Sequence, residues 1–216
     1  MTSGLVAIAA QEYMPTLSVL ALTRLQLPAG SVIQFNLTGC TLARKRNGLA
    51  RTMLRERRFQ WLLMLDSDMM PPADTIARLL AHGQPIVGAL YRQKRPPYPF
   101  VAARDDKQPL RLGTLERVAL IGAGCLLVRR AVFESLPEPW FTANGEDVGE
   151  DADFCRKAIA AGFSVWCDTT LEAGHITSLP VTSELAMGWD LVEQESERAG
   201  ARGVALLAAA TNGGAG

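Results

Sequence analysis

No charge of either sign predominates, with 22 Lys and Arg against 22 Asp and Glu in 216 residues. That balance argues against a surface built as a whole for polyanions, while leaving room for a local basic patch. No apolar run approaches the roughly 18 to 20 residues that cross a bilayer; the longest, residues 203–210, is short and rich in Ala. No positive charge precedes the first apolar stretch and no long hydrophobic region follows, so a secretory signal is not expected. The four cysteines, Cys40, Cys125, Cys155 and Cys167, form no CxxC pair and lie scattered through apolar segments. They read as reduced, buried small hydrophobes rather than a disulfide framework or zinc site. The remainder, 48% hydrophobic and 20% charged, is that of an ordinary globular chain able to bury a core. The expectation is a soluble, cytoplasmic protein, and composition says nothing of its chemistry.

Short apolar runs alternate with amphipathic ones. Residues 5–10, 32–35, 61–65 and 85–89 read as buried strands, and 15–27, 41–58 and 73–82 carry helical spacing. Strand and helix in alternation, with strands apolar on both sides, predict a parallel sheet covered on both faces. Strands at 117–121 and 125–128, a helix over 151–161 ended by Gly162, and a last strand at 164–167 suggest added antiparallel members. A further helical segment is expected over 185–201. The reading is one α/β domain over residues 1–202, a mixed, mostly parallel sheet flanked by helices, with 203–216 a flexible Gly/Ala-rich tail.

Asp66-Ser67-Asp68 follows directly on the strand 61–65. Residues two apart on an extended chain point to one side, so both carboxylates should face one way at the strand's C-terminal end, where open α/β sheets bind ligands. Such a pair repels unless a cation or proton intervenes; alternatively, Asp68 or Asp74 simply caps the next helix. A second acidic group, Glu146-Asp147 and Gly149-Glu150-Asp151, opens the helix carrying Phe154 and Cys155. Acids in a first turn complement the helix dipole, but Asp151 is also in phase with Cys155, Ala158 and Gly162, which favours a functional role. Arg46 falls in phase with Leu42, Leu49 and Met53, near a helix N-terminus where cations are unfavourable. It either meets an anion, phosphate being the obvious one, or snorkels to solvent. His175 follows Gly174 after the last strand, structural or metal-binding; His82 is explained by a helix C-terminus.

Taken in order, these motifs resemble those of a glycosyltransferase with the Rossmann-like GT-A fold, close to the family-2-like nucleotide-sugar enzymes. The resemblance runs from about Gly4 to His175. It rests on the opening strand into Ala9-Ala10-Gln11, on Ala43-Arg44-Lys45-Arg46-Asn47-Gly48, on Leu65-Asp66-Ser67-Asp68, on Ile121-Gly122-Ala123-Gly124-Cys125, on Gly149-Glu150-Asp151 and on Gly174-His175. It implies a metal-dependent sugar transfer from a nucleoside-diphosphate sugar, UDP being the default, to an acceptor hydroxyl. Asp68 would bind Mn²⁺ or Mg²⁺ with His175 as a second ligand, and Asp66 would contact the ribose or the metal's water shell; mixed O and N ligands suit those ions. Ala9, Gln11, Arg46, Asn47, Asp66 and Ser67 would surround the nucleotide, and Gly122, Ala123 and Gly124 would approach the donor sugar. Glu150 and Asp151 would bracket the acceptor, with Asp151 as base. Neither membrane-anchoring helices nor a Q-x-x-R-W motif is present, which speaks against processive polymer synthesis.

The acceptor is not written in the motifs. Residues 91–98 mix cations with aromatics, and Arg51, Arg55, Arg57 and Arg58 add a basic run. These features suit either a solvated loop or an anionic acceptor such as a hydroxylated base in DNA. Two other classes compete: a sugar-1-phosphate nucleotidyltransferase, disfavoured because no Gly-rich basic loop follows the first strand, and a non-catalytic nucleotide-sugar or carbohydrate-binding module.

Overall fold

The structure, a computed structural model, describes residues 2–10, 13–143 and 149–177. Gln11, the acids Glu146 and Asp147, the expected helix over 185–201 and the 202/203 boundary lie outside the described residues. The elements in chain order are β1 (Leu5–Ala9), α1 (Thr16–Arg24), β2 (Val32–Asn36), α2 (Leu42–Arg55), β3 (Trp61–Asp66), β4 (Met69–Met70), α3 (Thr75–Ala81) and β5 (Ile86–Leu90). The second half holds β6 (Ala102–Ala103), β7 (Leu115–Val118), β8 (Leu120–Ile121), β9 (Cys125–Arg129), α4 (Arg130–Ser135), α5 (Glu150–Ala160), β10 (Val165–Glu172) and β11 (Gly174–His175).

Seven strands form one sheet in the order β2-β1-β3-β9-β5-β10-β7. β1, β2, β3, β5 and β10 run one way, while β9 and β7 run against them. The sheet is therefore mixed and mostly parallel, as expected. Alternate residues of each strand feed two separate cores. Leu5, Ala7, Leu62 and Met64 face α2, α4 and α5 through Leu49, Met53, Phe133 and Phe154. Val6, Ile8, Leu63 and Leu65 face α1 and α3 through Leu22, Ile76 and Leu79. Burial of each large aliphatic side chain contributes roughly 1.5–3 kcal/mol, so the two cores hold the sheet edge as a stiff platform.

The antiparallel insertion of β9 between β3 and β5 decides where the site lies. Leu65 pairs with Cys125, so the turn entering β9 sits at the end where β3 leaves the sheet. Ala9 pairs with Asp66 across β1 and β3, and the Ala173 amide donates to the Leu90 carbonyl at 2.8 Å. The ends of β1, β3, β5 and β10 and the start of β9 thus converge on one edge.

Several expectations change in detail. The strand expected at 117–121 is split, because β7 pairs with β10 and β8 with β6. The last strand is longer than 164–167 and bulges between Asp168 and Glu172. Helix α4 is too short to show a period in sequence. Gly162, at φ 89°, ends α5 as its position implies. Among the described residues no helix is long and apolar enough to cross a membrane.

Candidate active site

The turn after β3 separates the two acids that the extended-chain argument placed side by side. β3 ends at Asp66, and Ser67 and Asp68 form a turn, so the two-residue alternation stops before Asp68. Each carboxylate consequently meets different partners.

Asp66 turns toward α2. Arg46 donates to it at 2.9 Å and also pairs with Glu150 at the start of α5. Only 2% of the Arg46 side chain is exposed, against 25% for Asp66 and 16% for Glu150. Burial disfavours the guanidinium charge, yet Asp66, Glu150 and the nearby Asp151 outweigh it and raise its pKa. The helical phase of Arg46 did signal an anion, and the anions in contact are two of the protein's own carboxylates. The same first turn of α2, capped by the Thr41 hydroxyl, buries Lys45 against the Ala10 carbonyl. The Asn47 amide donates to the Phe141 carbonyl at 2.7 Å and accepts from the Phe141 amide at 3.1 Å. That group is spent on fixing the backbone before α5. Asp151 accepts from the Ala152 amide at 2.8 Å and is half-buried, whereas Asp153 is the deeply buried acid of α5, paired with Lys157 at 2.6 Å.

Asp68 faces the other way. Lys94 pairs with its Oδ2, and His175 Nε2 lies 3.4 Å from its Oδ1. The two-stranded β4–β11 ribbon sets this distance, since His175 pairs with Met69 and the Ile176 amide donates to the Asp68 carbonyl at 2.9 Å. His175 Nδ1 is 2.8 Å from the Arg92 carbonyl, which only accepts, so Nδ1 carries the proton and Nε2 is left facing Asp68. Burial pushes the Asp68 carboxyl up, but His175, once its ring also carries a proton at Nε2, and Lys94 prevail and hold it at about 2. For His175, burial lowers and Asp68 raises, and the net direction is up. Asp68 Oδ1 itself is buried and accepts no hydrogen bond. An orphaned carboxylate oxygen opposite an imidazole nitrogen whose far side is anchored is a donor pair suited to a divalent cation. Among the described residues no group of three or more His, Cys, Asp or Glu could hold a metal, so such a cation needs ligand oxygens from a substrate or water.

Tyr91, which in the sequence was only the first residue of the basic, aromatic loop, joins the two halves. Its hydroxyl accepts from the Gly124 amide at 2.9 Å, and its ring meets His175 edge-on at 5.5 Å. A Cβ at Gly124 would lie 2.8 Å from that hydroxyl, and one at Gly122 would overlap it. These glycines leave room for the Tyr91 phenol, the close approach being made by the protein's own ring. Burial, with Asp66 adding to it, pushes the Tyr91 pKa up, so it stays a neutral hydroxyl. Ala9, Ser67 and Ala123 are buried around the same edge.

Two other expectations are met in part. Cys125, Cys155 and Cys167 are buried, which pushes their thiols up to about 12, whereas Cys40, expected buried, is only partly so; all four cysteines are free. The basic run Arg51 to Arg58 ends just before β3, at the opposite end of that strand from Asp66. Arg51 there pairs with Glu138 at 2.7 Å and Arg58 with Glu56 at 3.6 Å.

No protein-family model matches the chain. No curated protein matches it in sequence. Its fold is similar to that of solved structures. The crystal structure of A197 from STIV is 19% identical, with a TM-score of 0.63 over 82% of this chain and 87% of that one. The crystal structure of GalNAc-T7 with UDP, GalNAc and Mn²⁺ is 16% identical, with a TM-score of 0.59 over 83% of this chain. The chain spans 44% of the length of that second structure. These likenesses extend to the fold, a mixed, mostly parallel sheet flanked by helices.

Proposed function

We propose that the chain is a GT-A glycosyltransferase that moves a sugar from a nucleoside-diphosphate sugar, with UDP as the nucleotide, to an acceptor hydroxyl, using Mn²⁺ or Mg²⁺. The observation that carries this reading is the facing pair Asp68 Oδ1 and His175 Nε2, 3.4 Å apart, at the strand edge where α/β folds bind ligands. The fold likeness to a structure holding UDP, GalNAc and Mn²⁺ supports it.

Asp68 and His175 would hold the cation, which when bound would neutralise charge on the departing nucleoside diphosphate. The chain's own residues then divide the work. The Arg92 carbonyl fixes the His175 tautomer, and the β4–β11 ribbon fixes its position. Arg46 pairs with both Asp66 and Glu150, leaving Asp151 the acid available to take a proton from the acceptor hydroxyl. Such a base contributes about 10² to 10⁴ in rate.

The test is calorimetric titration of UDP with and without Mn²⁺. Wild type should bind UDP only with the cation, and Asp68→Ala should lose that binding. Failure of UDP, GDP and other nucleoside diphosphates to bind in the presence of Mn²⁺ would contradict the proposal. Asp151→Asn should then cut transfer by about 10² to 10⁴ with UDP affinity kept; near-normal transfer would remove the base assignment.

A further inference from the structure

The basic loop after β5 enters the scheme above only through the Arg92 carbonyl that meets His175, and one of its side chains, Lys94, also reaches the site. The Gln93 amide donates to the Pro99 carbonyl at 2.8 Å, and Arg92 bridges to Phe100, closing a hairpin. The Arg92 guanidinium lies 4.0 Å over the Phe100 ring and donates to the Tyr98 carbonyl at 3.0 Å. Every residue from 92 to 99 is exposed except Lys94, which turns inward onto Asp68 Oδ2. A cavity of about 220 Å³ lies beside this contact, lined by Lys94, Tyr98, Glu172 and His175 among others.

An ammonium and a divalent cation on one half-buried carboxylate repel each other unless an anion comes between them. Lys94 therefore opposes a bare cation at Asp68 but favours one that arrives with phosphate oxygens, to which an ammonium binds as a point charge. We propose that Lys94 is a resident counter-ion for Asp68 that passes to the diphosphate of the donor when cation and nucleotide bind, carrying the 92–99 loop with it. The inference rests on the donor-site reading above and adds a donor-binding residue to it. Its signature is a pair of opposite signs in one variant.

Lys94→Met keeps the aliphatic stem and removes the charge. Free Mn²⁺ followed by electron paramagnetic resonance should show the variant binding the bare ion about five- to tenfold more tightly than wild type, the expected size for losing a competing ion pair. Calorimetry with saturating Mn²⁺ should show it binding UDP about tenfold more weakly. Hydrogen exchange of residues 92–99 in wild type should speed up with Mn²⁺ alone and slow when UDP is added. If wild type binds UDP with Mn²⁺ but the variant takes up bare Mn²⁺ no more tightly, the role of Lys94 is overturned while the donor site stands. If neither protein takes up Mn²⁺ and UDP also fails to bind, both are overturned.

Discussion

Arg46 and Lys94 pair with the two acids of Asp66-Ser67-Asp68, and they do it in opposite ways. Arg46 is almost fully buried, bridges Asp66 to Glu150 and ties α2, β3 and α5 together. Lys94 sits on a loop whose other residues are exposed, 37% of its side chain is accessible, and it makes one ion pair. A planar guanidinium with several donors suits the fixed joint, and a flexible ammonium suits the exchangeable one. The difference divides this edge of the sheet into a half fixed by a buried bridge and a half held by an accessible one, the half where the proposed donor site lies.

The largest expected effect comes from breaking the rigid half. Arg46→Met leaves Asp66 and Glu150 without their shared cation, and urea unfolding should show a loss of about 3 kcal/mol. An unchanged unfolding midpoint would mean the bridge is not a structural joint. Gly124→Ala comes next. Its methyl group would press on the Tyr91 hydroxyl, and overpacking of this kind costs about 1–3 kcal/mol. Because Tyr91 also touches His175, Mn²⁺-dependent UDP binding should weaken in the same variant; a stability loss with binding untouched would uncouple the halves.

The smallest effect calibrates both from outside the site. Asp168, 2% exposed, accepts from Thr170 and lies 2.9 Å from His82 Nε2 and 3.5 Å from Arg78. Burial alone would raise its carboxyl, but Thr170, His82 and Arg78 hold it below the usual range. A depressed carboxylate contributes stability that is complete above the unfolded pKa of about 3.9 and is lost as pH falls through the lower folded value. Asp168→Asn should therefore flatten the loss of stability below about pH 4 in urea titrations against pH. An acid limb identical to wild type would assign that limb to other carboxylates.

The parts of the molecule legible in sequence were those governed by period. The apolar runs marked β1, β3, β5 and β9, and helical spacing marked α1, α2, α3 and α5, with Arg46 and Asp151 flagged by falling in phase with buried positions. What period does not carry was missed or misplaced. The alternation argument failed at Asp68 because the strand had already ended. Tyr91 was invisible as a joint, since its partners Gly124 and His175 lie far along the chain, brought to it by the antiparallel entry of β9 and by the β4–β11 ribbon. Lys94 read as one cation in a basic loop, and only its inward turn distinguishes it. The glycines of 122–124 did signal a close approach, but sequence offered no way to tell a ligand from the protein's own tyrosine.

The central claim is that Asp68 and His175 together make a cation site. Crystals grown with UDP and Mn²⁺, measured at a wavelength where manganese scatters anomalously, test it most directly. The account predicts one anomalous peak about 2.0–2.3 Å from both Asp68 Oδ1 and His175 Nε2, with phosphate oxygens beside it. A peak on other residues, or none while UDP is bound, would contradict it.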